Sequence, residues 1–217
     1  MPPRRISPRP VATIVLSLLF SFLAPLSGQL SAGEFNPTLS VNDSAPIWTN
    51  LPGVDDKTHS LADVDPNKPV IVVFTCNSCD VATDYEDRII EFSKKHQGEV
   101  VVVAICASAK PADALPRMQE RAEQKKFPYA YLFDKSQALG QTYGANFTPE
   151  FFLLSPGKPD QRRILYMGAM DDSTYADRVK SNYLEPALAA ALKGEAPAVQ
   201  ETAPRGCRIK YPRQKQR

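Results

Sequence analysis

The sequence predicts an α/β fold in which a central mixed β-sheet is flanked by helices, and three observations carry that prediction. Apolar, largely β-branched runs at residues 70–74 and 100–105 read as strands buried on both faces. After each of them, apolar residues recur at three- and four-residue spacing, as on one face of a helix. Late in the chain, two strand-like segments, 150–155 and 163–167, are joined by the turn Pro156-Gly157; so short a link cannot cross over, so this pair is antiparallel.

Element by element, residues 33–47 are polar and turn-rich, and 48–61 hold Leu51-Pro52-Gly53 and Asp55-Asp56-Lys57, a loop and hairpin vocabulary. The first buried strand is 70–74. A helix over about 79–96 follows, with Ala82, Tyr85, Ile89 and Phe92 on one face and Gly98 ending it. The second buried strand is 100–105; Leu115, Met118 and Ala122 then mark an amphipathic helix that stops near Phe127-Pro128. Residues 129–133 give a third strand and 136–143 a short helix. A closing helix is expected from near Ser173, kinked or restarted at Pro186 before residues 188–193. The order βαβαβαββα has alternating parallel units at its start and an antiparallel pair near its end.

The 217 residues hold one domain of roughly 150 to 190 residues plus extensions. With 43% apolar and 23% charged residues the chain is ordinary for a globular protein. Arg4, Arg5 and Arg9 precede an apolar run over residues 11–26, which reads as a secretory signal and is short for a membrane span. Residues 1–32 are accordingly assigned as a signal peptide, 33–195 as the folded domain and 196–217 as a basic, flexible tail. Export to the periplasm or outside the cell follows; an uncleaved signal would tether the protein to the membrane.

Without residues 1–32 the chain has 23 basic and 24 acidic residues, so nothing points to nucleic acid. Charge is nonetheless uneven: Arg205, Arg208, Lys210, Arg213, Lys215 and Arg217 crowd the end without one acid. Such a run reads first as a solvated tail, with weak contact to an acidic surface as the sharper alternative.

The four cysteines, Cys76, Cys79, Cys106 and Cys207, are too few for a disulfide-dense scaffold. Cys76 and Cys79, separated by Asn77 and Ser78, fall where a strand ends and a helix opens, and can close a small disulfide ring. A helix N-terminus points unpaired amides and a partial positive charge at a sulfur there, which favours the thiolate that exchange requires. A helix beginning at Asn77 favours Cys76 as the attacking sulfur and one beginning at Asp80 favours Cys79; Cys76 is the residue chosen, with Cys79 resolving. Asp80 is expected to oppose thiolate formation. A zinc site would need about four ligands, and His59 and His96 lie in unrelated segments, so no metal or other cofactor is expected.

Further on, Thr148-Pro149 immediately precedes a buried strand. The Cys-x-x-Cys after the first core strand, the β-α-β spacing and this late Thr-Pro together resemble the thioredoxin-like superfamily over about residues 40–195. Within it the chain is most similar to the bacterial peroxiredoxin-like redoxins of the alkyl hydroperoxide reductase and thiol-specific antioxidant group. The residues that carry this are Leu51-Pro52-Gly53-Val54-Asp55, Val72-Val73-Phe74-Thr75-Cys76-Asn77-Ser78-Cys79, Tyr85-Glu86-Asp87-Arg88-Ile89, Phe147-Thr148-Pro149-Glu150 and Gly206-Cys207-Arg208-Ile209-Lys210.

The resemblance implies a redox centre at Cys76 and Cys79, with Pro149 as a cis-proline and Thr148 beside it lining the partner groove. It also raises thiol-dependent peroxidase activity. A peroxidatic cysteine of this group sits in a Pro-x-x-x-Thr-x-x-Cys frame; against Cys76 the threonine slot holds Val73, and against Cys79 it holds Cys76. The expected activity is therefore thiol–disulfide exchange with a disulfide-containing protein or an upstream thiol reductant, and peroxidase is the alternative. A second alternative is a copper carrier, but such redoxins use Cys-x-x-x-Cys and a late histidine, and none follows His96 here. Cys106 reads as core filler, Cys207 as a candidate resolving cysteine or a packed thiol, and His96 as a solvated cation at a helix end.

Overall fold

The computed structural model describes residues 33–212, together with Met1; the proposed signal peptide and the last five residues lie outside them. A short hairpin pairs β1 (Leu51–Pro52) with β2 (Thr58–His59). The core then runs β3 (Val70–Phe74), α1 (Asp80–Lys95), β4 (Val101–Cys106), α2 (Leu115–Lys125), β5 (Ala130–Phe133) and α3 (Ala138–Thr142). It continues with β6 (Phe147–Thr148), β7 (Glu150–Leu154), β8 (Ile164–Gly168), α4 (Leu184–Leu192) and β9 (Cys207–Arg208). The five-stranded sheet has the order β5-β4-β3-β7-β8, parallel across β3, β4 and β5 and antiparallel across β7 and β8. This is a thioredoxin-like α/β architecture.

The central strand β3 shows why the fold forms. Strand periodicity sends Ile71 and Val73 to one face, among residues of α1, α2 and α4, and Val70, Val72 and Phe74 to the other, against Trp48, Leu139 and Tyr143. Both faces are covered, so all five side chains are buried. Each contributes about 1.5–3 kcal/mol of transfer free energy.

Two expectations fail. Residues 173–183 form no long helix: the segment holds one turn of 3-10 helix, Ala176–Arg178, and the closing helix begins at Leu184. Asp171 explains the difference, since Arg88 (2.6 Å) and the Tyr85 hydroxyl (2.9 Å) both donate to its buried carboxylate. Arg88 also bonds the carbonyls of Ser173 and Thr174, so α1 side chains take the partners a helix would have used. Pro186 falls in the first turn of α4, where its missing N–H removes no intrahelical bond, and it produces neither kink nor restart.

Residues 196–212 are not a free tail. Along the outer edge of β8 the Met167 N–H donates to the Gln200 carbonyl and the Thr202 N–H to the Met167 carbonyl. The Glu201 carboxylate accepts from the backbone N–H groups of Glu34, Phe35 and Asn36 at 2.7–3.1 Å. β9 then pairs antiparallel with β6, and Tyr211 donates to the Ala145 carbonyl at 2.6 Å. Because backbone groups and a carboxylate supply these partners, the positive charge that marked the segment in the sequence did not report its packing.

Candidate active site

Strand β3 delivers Cys76 to one end of the sheet, where the Thr75 N–H still bonds Ile105 of β4 at 2.9 Å. The chain then turns through Asn77 and Ser78. Cys79 is the N-cap of α1, and its sulfur accepts from the Ala82 N–H at 3.3 Å. Neither cysteine is in a disulfide, and each bears on the other's ionisation. Cys76 is 7% exposed and Cys79 is fully buried.

A second segment closes on the pair. The Thr148-Pro149 peptide is cis, with the Thr148 hydroxyl 3.6 Å from the Cys76 sulfur and the Cys79 thiol donating to the Thr148 carbonyl at 3.1 Å. Glu150 holds this segment from behind, its buried carboxylate accepting from the N–H groups of Asn146 and Phe147. Strand β9 lies alongside and aligns Cys207 with Thr148, close enough for Cys207 to bear on the ionisation of Cys79. Three thiols are thereby in one cluster. Cys106 is not among them: it is buried at the end of β4, its thiol donates to the Asp113 carbonyl at 3.8 Å, and burial pushes its pKa up to about 12.

The turn between the cysteines is supported by residues that sequence reasoning passed over. Asp113 is fully buried, and its carboxylate accepts from the Ser78 N–H (2.8 Å), the Ser78 hydroxyl (2.7 Å) and the Ser108 hydroxyl (2.5 Å). Asn77 donates to the Arg117 carbonyl at 3.0 Å and accepts from the Tyr131 hydroxyl at 3.1 Å. Nothing in the local spelling of Pro111-Ala112-Asp113 links it to a turn 35 residues earlier. His96 is bonded to Glu99 and Glu185 and stands outside the cluster.

These contacts divide the charge of the pair. The Cys79 thiol is held well below its ordinary range, first by the hydrogen bond from Cys76 and then by Cys207, Thr148 and the Ala82 N–H, against a burial that opposes it. Cys76 is pushed up by its role as donor to Cys79, by burial and by the charge of Asp113. The helix start thus favours a thiolate at Cys79, whereas the reachable sulfur is Cys76. The carboxylate bearing on Cys76 is Asp113; Asp80 is exposed in the first turn of α1.

Cys76, Thr148 and Cys207 open on a cavity of about 210 Å³. Among the described residues no group of three or more His, Cys, Asp or Glu side chains could hold a metal ion. No helix among them is long and apolar enough to cross a membrane.

The AhpC/TSA family matches residues 41–165, which is more than half of the chain and includes the cysteine pair and Thr148-Pro149. The chain belongs to the AhpC/TSA family. Solved structures share the fold. A hypothetical protein from Sinorhizobium meliloti is 26% identical with a TM-score of 0.73, over 82% of this chain and 97% of that one. An uncharacterized conserved protein from Geobacillus kaustophilus is 25% identical with a TM-score of 0.74, over 83% and 96%. A peroxidoxin from Mycobacterium tuberculosis shares the fold at 18% identity and a TM-score of 0.54, over 72% and 97%. No curated protein matches the chain. As an AhpC/TSA member the protein is a thioredoxin-like redox protein.

Proposed function

We propose that this AhpC/TSA family protein is a thiol–disulfide oxidoreductase working through Cys76 and Cys79 on a disulfide-containing protein or with an upstream thiol reductant. The observation that supports this is the pair itself: two unbridged cysteines at a helix start, Cys79 fully buried and Cys76 lining a cavity. Exchange starts at Cys76. As its sulfur bonds to one sulfur of the partner disulfide, its proton passes to the Cys79 thiolate and the other partner sulfur leaves as a thiolate. Cys79 then gives up that proton, to the departing thiolate or to water, and attacks Cys76. The Cys76–Cys79 disulfide forms and the second partner thiol is released. Thr148 and Pro149 line the groove in which the partner chain lies.

Cys207 has a part in this reading because it touches Cys79. Its thiolate attacks Cys79 of the oxidised pair, forming Cys79–Cys207 and returning Cys76 as a thiol. Export through residues 1–32 is part of the same proposal, supported by the basic start and the apolar run.

The test is trapping. Cys79→Ser accumulates mixed disulfides on Cys76, and Cys76→Ser accumulates none; trapping by both to the same extent would remove the assignment. Peroxidase action is the second reading, favoured by family membership. It displaces the first if the reduced protein consumes hydrogen peroxide faster than it reduces a protein disulfide.

A further inference from the structure

The cavity at Cys76 has a charge character that thiol exchange by itself does not require. Lys110 lines it from the segment after β4, and Arg208 and Lys210 line it from β9 and just beyond, beside Cys76, Thr148 and Cys207. No carboxylate lines it. Elsewhere among the described residues some cations are paired, Arg88 with Asp171, Arg121 with Glu86, Lys125 with Asp87 and Lys95 with Glu185, and others, Arg163 and Arg178 among them, form no ion pair. Among the described residues the three cavity cations form no ion pair.

Two of them are held in place. The Lys110 ammonium donates to the Ser78 hydroxyl at 3.2 Å, and that hydroxyl is 3.8 Å from the Cys76 sulfur. The Arg208 guanidinium lies 5.1 Å from the centre of the Phe147 ring. The carboxylate close behind the wall, Asp113, is buried, accepts three hydrogen bonds and meets Lys110 only through the shared Ser78 hydroxyl. A concave site lined by one sign of charge concentrates ligands of the other sign. The thiolate of the pair and the Asp113 carboxylate together carry two negative charges, which three cations outnumber.

We infer that the preferred substrate is a disulfide flanked by carboxylates, whose negative charges these three cations receive while Cys76 attacks. The cavity is smaller than the ~300 Å³ at which sites for whole small molecules begin, so it takes the group next to the sulfur and not the whole partner. The departing sulfur also leaves as an anion, which the same cations stabilise. This inference rests on the exchange reading of the site and narrows it to a substrate class.

The test compares three disulfides with the reduced full-length protein by stopped flow: the dianionic 5,5′-dithiobis(2-nitrobenzoate), the neutral 2,2′-dithiodipyridine and the cationic cystamine. Each rate is divided by that of free cysteine with the same disulfide. The expected result is a normalised preference of at least about tenfold for the dianion over the neutral probe at low salt, with the cation slowest. That preference collapses towards unity at about 1 M salt, where screening acts within about 3 Å. It collapses likewise in Lys110→Gln/Lys210→Gln; the salt series on the unaltered protein stands even if that variant does not fold. Equal normalised rates for all three probes overturn the inference and leave exchange standing. Reaction with none of them removes the exchange reading itself. A disulfide-linked peptide with aspartates beside each cysteine separates the carriers: a peptide faster than the small dianion assigns an acidic protein partner, and a slower one assigns a small carboxylate-bearing disulfide.

Discussion

The Cys79 thiol is held below its ordinary range, first by Cys76 and then by Cys207, the Thr148 side chain and the Ala82 N–H. The first proton of the reduced pair therefore leaves well below the ordinary thiol value of about 8.5. Thiolate absorbance should show that early step in the unaltered protein, lose it in Cys79→Ser, and show it displaced upwards in Cys76→Ser, which removes the leading donor. An early step that survives Cys79→Ser would place the charge elsewhere. Glu150 titrates in the opposite sense: burial raises its carboxyl from the ordinary 4.5 to about 7, although two backbone N–H groups resist the shift. A carboxyl with a raised folded-state value adds stability that is complete below about 4.5, declines as pH rises, and is gone above about 7. Chemical denaturation should show this decline in the unaltered protein, with Glu150→Gln flattening it; an unchanged slope in that variant would assign the decline to another group.

At the scale of elements, the short β6–β9 ladder decides whether Cys207 belongs to the site. Gly206, immediately before β9, has a φ of +154°, and a Cβ there would lie 1.9 Å from the Thr148 carbonyl oxygen. Gly206→Ala must therefore push β9 off β6, at a cost of about 1–3 kcal/mol in backbone strain and lost pairing. The expected outcome is faster alkylation of Cys207, faster proteolysis after residue 195 and a lower Tm, while α1 and the Cys76–Cys79 pair stay in place. If Cys207 in Gly206→Ala reacts at the same rate as in the unaltered protein, the ladder does not control its access.

For the molecule as a whole, the C-terminal segment is a structural member. Glu201 binds residues 34–36, residues 200–202 extend along β8, and Ile209 and Tyr211 bond Asn146 and Ala145 near the site. Deleting everything after residue 195 removes these partners together. Leaving buried groups unsatisfied costs about 1–3 kcal/mol for each. Denaturant unfolding of that truncation should give a midpoint far below that of the full chain, or no cooperative transition. A midpoint matching the full chain would mean that the segment is peripheral after all.

The sequence by itself determined the strands of the core sheet, the helices between them and the position of the cysteine pair. Those features are spelled locally: β-branched runs buried on both faces, apolar residues at helical spacing, and two cysteines at a strand–helix junction. It also marked Thr148-Pro149, which the fold brings against both sulfurs. Tertiary structure alone decided what surrounds each sulfur, because the start of α1 at Asp80 and the groups around Cys79 come from four separate segments. It likewise decided the buried role of Asp113, the docking of residues 196–212 and the unpaired cations at the cavity. Each depends on contacts between residues tens of positions apart, and a hydrogen bond across such a distance leaves no periodicity in the chain to read.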